Sequence, residues 1–292
     1  MHAAVLTYAL PPWWKPLATM AETVRRGEPA ALTAAGATNS VLATELSGAA
    51  EVVATFHASR SATAADAIAD AITSNLTDDI SHVVTIGGGA ILLAEILHRL
   101  PRINGVLVDW RHPDAAARHL SRIDDLAGRW AITMGRRVNT GIPMLQFRPL
   151  YLIYGVINTL AVHDAHRLLA EVATAMDFSG PQSVLWLVQW VVPDVAEPHQ
   201  AFAQDLLGMT RTRYGRERTI SEYAALLRES GLRMVGLIDT GDQTIIAAST
   251  RTHPLTIAER GALAARAASA PTPTTADATP FPSLNDQDPR NT

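Results

Sequence analysis

Between residues 82 and 250, short apolar runs alternate with stretches of helical periodicity. Apolar runs of strand length occur at 83–87, 104–109, 130–134, 150–155 and 183–192. The segment 232–249 has the pattern of a final hairpin that turns at Thr240, Gly241 and Asp242. Strands that alternate with helices are typical of a parallel sheet covered on both faces. The pattern therefore predicts an α/β fold, a Rossmann-like and mostly parallel sheet with a C-terminal antiparallel hairpin.

Two flanking segments have a different pattern. Residues 12–76 are rich in alanine and helical in period, and we expect them to form a lid or a dimer-facing layer. From Ala270 onward Pro, Thr, Ala and Asp dominate, a composition typical of disorder. The predicted division is an α-helical lid or interface segment at 1–80, an α/β domain at 81–252 and a tail at 253–292, disordered from about residue 270.

A glycine-rich turn, Gly87-Gly88-Gly89, follows the first predicted strand and precedes a helix that we expect from Ile91 to Leu100. Such a turn lets a ligand approach bare backbone at a helix N-terminus. The dinucleotide fingerprint needs a further glycine at position 92, which is Leu92, although Asp109 suits the acidic position about 20 residues on. The missing glycine argues against a dinucleotide-binding domain. Ligands in open α/β sheets bind beyond the carboxyl ends of the strands, which places Gly87 to Gly89, Asp109, Arg136 and Asn158 around one predicted crevice.

Three segments in order, the Gly87–Gly89 turn, Val106-Leu107-Val108-Asp109 and Gly215-Arg216-Glu217-Arg218-Thr219, resemble one family. They are similar to small-molecule O-methyltransferases of the caffeate, hydroxyindole and polyketide type, which use S-adenosylmethionine. The resemblance covers about residues 10–250 and implies a class I methyltransferase fold. It also implies that Gly87, Gly88, Gly89 and Asp109 belong to the cofactor site, with Asp109 at the ribose hydroxyls.

The chain departs from that family's pattern at the residues that carry charge or titrate. The Asp of the glycine turn is Thr85, and its last Gly is Ile91. A Gly-Asp-Phe segment aligns with Gly135-Arg136-Arg137, so that two cations stand where a carboxylate is expected. Alternatively, Arg136 and Arg137 have no functional role and belong to a basic turn exposed to solvent.

The expected catalytic histidine is Asn158, and the Lys ahead of it is Tyr154. Of the two glutamates that flank the histidine in that family, one aligns with Gln189 and the other is retained as Glu217. An amide does not titrate, so Asn158 cannot act as the general base that imidazole provides near neutral pH. Asn158 is alternatively a helix N-cap, a position where Asn is favoured.

Fewer carboxylates and more guanidinium groups favour an anion over a sulfonium cation. The hypothesis drawn from this change is a ring-forming enzyme that uses no cofactor and expels sulfate or phosphate, closing a ring such as an aziridine. Arg136 and Arg137 would hold the anion, and Asn158, Glu217 and His163 would be catalytic. Two alternatives remain: an S-adenosylmethionine-dependent O- or N-methyltransferase whose acceptor Glu217 or His163 activates, and a catalytically silent subunit.

The same resemblance implies that Trp14, His57, Met209 and Tyr154 contact the substrate; burial of Trp14 and Met209 in the core or an interface is the open alternative. His163 and His166 have a spacing that can bind zinc, but the sequence offers no third ligand, so no metal is expected.

Composition limits the remaining function classes. The chain of 292 residues has a net charge of −4, which gives no electrostatic case for nucleic acid, and it has no cysteine. Its apolar runs are shorter than the about 20 residues that cross a bilayer, and we expect a cytoplasmic protein. The resembled enzymes begin with a dimerisation domain that is not recognised here. The sequence therefore predicts a partner, either a second copy or a separate small protein that supplies that domain.

Overall fold

The computed structural model describes residues 16–30, 64–75, 80–87, 89–109, 113–134, 141–146, 148–180, 183–195, 199–241 and 243–250. Its seven strands are β1 (His82–Gly87), β2 (Asn104–Val108), β3 (Trp130–Thr133), β4 (Pro149–Tyr154), β5 (Val184–Gln189), β6 (Leu232–Asp239) and β7 (Thr244–Thr250). Its α-helices are α1 (Met20–Arg26), α2 (residues 64–75), α3 (Gly89–Arg99), α4 (Pro113–Leu120), α5 (Val162–Ser179), α6 (Gln200–Arg211) and α7 (Ile220–Glu229). Short 3-10 turns lie at Asp124–Leu126 and Ile157–Thr159.

The strands form one sheet in the order β3-β2-β1-β4-β5-β7-β6. The first five strands pair in parallel, whereas β7 is antiparallel to both β5 and β6. The predicted fold class is therefore confirmed, and each predicted strand lies within a few residues of its observed bounds. The central strands are apolar almost throughout because both faces of a parallel sheet are buried, as the burial of Leu150 to Ile153 in β4 shows.

Two apolar layers cover the sheet. On one face, Val84, Ile86 and Ile153 pack with residues of α5 and α7. On the other face, Ile68 and Ile72 of α2 pack with Leu92 and Ile96 of α3 and with the strand residues between them. The amino-proximal helix α2 thus buries its apolar stripe on the sheet, although it falls in the segment that we assigned to a lid or interface. The division of the chain near residue 80 stays a prediction.

Local sequence signals account for the ends of several elements. Thr219 and Glu222 form the capping box that the Thr-x-x-Glu spacing predicts for α7. The hairpin between β6 and β7 closes through the Thr240 amide, which donates to the Gln243 carbonyl at 2.9 Å. Among the described helices, none is both long and apolar enough to span a membrane.

Candidate functional site

The carboxyl end of β1 is a position that only glycine can occupy. Gly87 has φ +80°, and a Cβ added there would lie 2.4 Å from the Tyr154 carbonyl oxygen and 2.5 Å from a Val156 methyl. Any side chain would therefore push the end of β1 away from the end of β4. The first glycine of the turn is explained by this contact between strands, independently of any ligand.

Gly89 is different, because it faces open space. It has φ +73°, it begins α3, and no described atom lies within 4 Å of an added Cβ. Asp109 lies beside this turn: Ile86 pairs with Val108 in the parallel register, so Gly87 and Asp109 follow at the same level of adjacent strands. Strands in a sheet are about 4.8 Å apart, which brings the half-buried Asp109 next to the turn. The result is a half-buried glycine position, with open space at Gly89 and a carboxylate beside it.

The two residues that depart from the family pattern in this turn are set back from its surface. Thr85 is fully buried within β1, and its hydroxyl has no hydrogen-bond partner among the described residues. Ile91 is half-buried on the first turn of α3. Thr85 therefore places a small neutral side chain inside the sheet where the resemblance expects a carboxylate.

At the end of β4, the side chains of Asn158 and Glu217 meet. Asn158 lies in the 3-10 turn after β4, and its Nδ2 donates to Glu217 Oε1 at 2.7 Å. Glu217 is only 5% exposed and Asn158 is half-buried, so this amide–carboxylate contact is largely shielded from water. The helix α5 begins at Val162 with Ala161 as its N-cap residue. The alternative that Asn158 is an N-cap is therefore wrong, since its side chain binds a carboxylate across the site.

Backbone contacts fix Glu217 in this position. The Arg216 amide donates to the Asn158 carbonyl at 3.0 Å, and the Glu217 amide donates to Asp205 Oδ1 at 2.7 Å. Gly215 allows this approach, because a Cβ there would lie 2.4 Å from the Gly208 carbonyl oxygen on α6. The segment before α7 is thus held from both sides, by the turn after β4 and by α6.

A second group of buried polar side chains lies close by. Tyr223 of α7 donates its hydroxyl to Gln189 Oε1 at 3.3 Å, and Arg218 donates to the Ile157 carbonyl at 3.2 Å. Burial raises the pKa of Tyr223 strongly, the Glu217 carboxylate raises it further, and the Arg218 guanidinium opposes this shift. Tyr223 therefore stays protonated at neutral pH and cannot serve there as a base.

The motifs that carry the family resemblance lie at one edge of the sheet. They are the glycine turn with Asp109 beside it, and the segment that holds Glu217 at the end of β4. The sequence model of the O-methyltransferase domain matches residues 17–233, well over half of the chain. This chain belongs to the O-methyltransferase domain family. The suspected relationship is thereby confirmed.

Individual members of the family are similar to this chain over about half of its length. The mitomycin biosynthesis 6-O-methyltransferase of Streptomyces lavendulae is 35% identical over 152 residues, which are 52% of this chain and 41% of the relative. The 8-amino-8-demethylriboflavin N,N-dimethyltransferase of Streptomyces davaonensis is 29% identical over 161 residues, 54% of this chain and 44% of the relative. The matched part therefore spans less than half the length of these curated relatives.

The solved structure of the mitomycin 7-O-methyltransferase MmcR extends the likeness to most of the fold. It superposes with a TM-score of 0.70 at 29% identity, covering 83% of this chain and 69% of that one. The two chains thus share most of their fold.

These comparisons contradict the hypothesis of a cofactor-free enzyme that closes a ring by expelling sulfate or phosphate. The matched family and both curated relatives are methyltransferases, and the expectation of no cofactor falls with the hypothesis. The ring-closing hypothesis assumed that an enzyme without the catalytic imidazole cannot transfer a methyl group. A nucleophile that needs no deprotonation can still attack a methyl donor without that base. The charge argument depended on Arg136 and Arg137, which lie outside the described residues.

The structure brings together only part of the predicted site. Gly87, Gly89, Asp109, Asn158 and Glu217 lie at the carboxyl edge of the sheet or on the segment docked against it. Gly88, Trp14, His57, Arg136 and Arg137 fall outside the described residues, so their roles stay predictions.

The other predicted contacts differ in exposure. His163 is 73% exposed at the start of α5, where its Nε2 lies 3.3 Å from Asp164 Oδ1. Tyr154, at the end of β4, and Met209, on α6, are half-buried. Within the described part of the chain, no group of three His, Cys, Asp or Glu side chains could hold a metal ion.

A concavity of about 260 Å³ lies at the opposite edge of the sheet. It is lined by the amino ends of β1, β2 and β3, including His82, Asn104 and Trp130. Burial lowers the pKa of His82, which favours its neutral form. Because ligands of open α/β sheets generally bind at the carboxyl edge, that edge and not this concavity is the candidate site.

Asp205 and Tyr223 are site residues that sequence reasoning missed. Asp205 is one of several polar residues on α6, and no spacing singles it out before the helix is docked. Tyr223 occupies the fourth position of α7, where an apolar core residue is equally common. Both gain their role only from the tertiary contact between α6, α7 and the turn after β4.

Proposed function

We propose that this chain is an S-adenosylmethionine-dependent methyltransferase that acts on an oxygen or nitrogen atom of a small molecule in natural-product biosynthesis. Family membership supports the reaction class, and relatives that methylate oxygen in one case and nitrogen in another leave the acceptor atom open. The observation that carries the proposal is the open Gly89 turn with Asp109 at the same level of the adjacent strand.

These residues fit a nucleoside. The backbone at Gly89 leaves space over the N-terminus of α3, and a carboxylate such as Asp109 accepts two hydroxyl hydrogens of a ribose. Thr85 supplies no charge, so Asp109 is the described acidic group at this turn that would hold the cofactor. When bound, S-adenosylmethionine supplies an electrophilic methyl group on a sulfonium.

The protein contributes to the reaction by positioning the reactants and by supplying one carboxylate, that of Glu217. Glu217 is held through its backbone by Asp205 and through its side chain by Asn158. A carboxylate fixed in this way stabilises the positive charge that develops on the acceptor atom as it is methylated, and it accepts the proton that the methylated atom then loses. Tyr223 stays protonated and so does not compete for that proton.

Calorimetric titration of S-adenosylmethionine into the purified protein tests the proposal. We expect binding in the micromolar range, about −8 kcal/mol, and at least about a tenfold loss of affinity in Asp109→Asn. Asp124→Asn, which changes an exposed carboxylate on a 3-10 turn elsewhere, is the matched control and should bind like the unaltered protein. A folded sample that shows no binding would refute the proposed function.

A further inference from the structure

Two amide side chains, Asn158 after β4 and Gln189 at the end of β5, each pair through one polar atom and keep the other buried without a hydrogen-bond partner among the described residues. Asn158 donates through Nδ2 to Glu217, while its Oδ1 is buried without a hydrogen-bond partner among the described residues. Gln189 accepts a hydrogen bond from Tyr223 through Oε1, while its Nε2 is also buried without a hydrogen-bond partner among the described residues. Buried polar atoms are normally paired, so an acceptor atom at Asn158 is left for a group that carries a hydrogen.

The orientation of the Asn158 amide follows from its neighbour. Its NH2 group must face Glu217, because a carboxylate only accepts, and Oδ1 therefore points the other way. A ligand hydrogen directed at Asn158 meets an acceptor, and a second hydrogen on the same ligand atom can reach the carboxylate beside it. A primary amine has two such hydrogens, whereas a phenol has one.

The charge at the site favours the same class of acceptor. A phenol becomes nucleophilic by losing its proton, and the resulting oxyanion would lie beside the buried carboxylate of Glu217, which repels it. A carboxylate, with an ordinary pKa of about 4.3, is also far too weak a base for a phenol of about 10. An amine attacks with its lone pair while still carrying its hydrogens, and the positive charge that it gains is stabilised by Glu217. The buried Arg218 guanidinium donates to the Ile157 carbonyl and interacts with Tyr223, and its positive charge offsets part of the repulsion between Glu217 and an oxyanion.

We propose that the methyl acceptor is a neutral aromatic amine, whose two N–H groups bind Asn158 Oδ1 and the Glu217 carboxylate. This inference rests on the proposed methyltransferase function. An aromatic amine is required because alkyl amines, like the Lys side chain with its pKa of about 10.4, are protonated at neutral pH and lack a free lone pair.

The step balances without any further reactant. The amine nitrogen forms a bond to the methyl carbon, and the carbon–sulfur bond of the donor breaks with its electron pair remaining on sulfur. The nitrogen, now positively charged, gives one proton to Glu217, which passes it to solvent. The products are the N-methylated amine and the neutral thioether.

Matched probe pairs with the same ring and either an amino or a hydroxyl group test the inference: aminonaphthalene and hydroxynaphthalene, aminoquinoline and hydroxyquinoline, and aminoanthraquinone and hydroxyanthraquinone. We expect at least one amine to bind more tightly than its phenol by calorimetry without methyl donor. With S-adenosylmethionine present, mass spectrometry should show that amine methylated at least tenfold faster than its phenol. The binding readout does not depend on turnover.

Asn158→His reverses the chemistry by restoring an imidazole. The variant should methylate the phenols at least tenfold faster than the unaltered protein, with an ionisation between pH 5 and 8 in its rate profile. Asn104→His, at the amino edge of the sheet, is the control and should not gain this activity.

A panel in which no amine binds more tightly than its phenol overturns the inference, as does preferred methylation of the phenols. If S-adenosylmethionine itself fails to bind, the proposed function fails instead, and the two failures are thus distinguished.

Discussion

Asp205 acts on the site through the backbone of Glu217. Its Oδ1 accepts the Glu217 amide at 2.7 Å, and a hydrogen bond to a charged acceptor contributes about 1.5–3 kcal/mol. We class it as a positioning residue, because the orientation of the Glu217 side chain toward Asn158 starts from this fixed backbone.

Asp205→Ala should lower kcat for the amine probes about tenfold, since about 1.4 kcal/mol corresponds to a factor of ten. Binding of S-adenosylmethionine should be unchanged, because Asp109 follows β2, which β1 separates from β4 in the sheet. Asp205→Asn keeps an acceptor oxygen and should restore most of the rate, whereas Gln204→Ala on the same helix should have no effect. Equal loss of cofactor affinity and rate in Asp205→Ala would indicate general unfolding and contradict a positioning role.

The meeting of Asn158 and Glu217 illustrates what single residues reveal before a structure is known. Their proximity could be expected, because each occupies a position in a motif of known order. The role of Asn158 could not be expected in the same way, since an Asn after a strand can either cap a helix or donate to a carboxylate. In the structure it donates to Glu217. The position of Asp205 depends on how α6 docks, which no local pattern encodes.

At the scale of elements, α6 and the segment before α7 approach each other backbone to backbone. A Cβ at Gly215 would lie 2.1 Å from Thr212 Oγ1 and 2.4 Å from the Gly208 carbonyl oxygen. A Cβ at Gly208 would meet its nearest atom, the Gly215 carbonyl carbon, only at 3.5 Å, which is an ordinary contact. The two glycines face the same junction, but only Gly215 is required by space.

Gly215→Ala should therefore destabilise the protein by about 1–3 kcal/mol through overpacking, lowering Tm by several degrees. Gly208→Ala serves as the control and should leave Tm unchanged or raise it slightly, because alanine favours a helix interior by up to about 1 kcal/mol. Differential scanning calorimetry of both variants provides the measurement. Equal effects of the two substitutions would show that this junction is looser than the structure indicates.

The strands could be predicted because apolar runs bounded by Gly, Pro and polar residues match a sheet buried on both faces. The start of α5 could not be predicted as well. The chain makes a 3-10 turn at Ile157–Thr159 and becomes α-helical only at Val162. That turn exposes the Ile157 and Asn158 carbonyls, which accept from Arg218 and Arg216. A tertiary contact thus selects the turn over a continuous helix, and the sequence pattern alone favours neither.

At the scale of the whole molecule, the predicted partner remains to be tested, and the described surface suggests where to look. On the helical turns at 16–26, Leu17 is 38% exposed and Val24 60% exposed. The helix α1 contacts α6, which carries Phe202, 40% exposed. Exposed apolar side chains on or next to two helices in contact cost free energy while water covers them, and a partner that covers them would recover it.

We therefore expect the chain expressed alone to associate into a dimer, or to aggregate until a separate protein covers these helices. Light scattering coupled to size-exclusion chromatography measures the mass in solution. Val24→Glu combined with Leu17→Glu should shift the mass toward the monomer, whereas Val195→Glu, equally exposed but on another segment, should leave it unchanged. The prediction fails if the unaltered chain is a monomer with a single sharp melting transition, because the apolar side chains of α1 would then be stable in water without a partner.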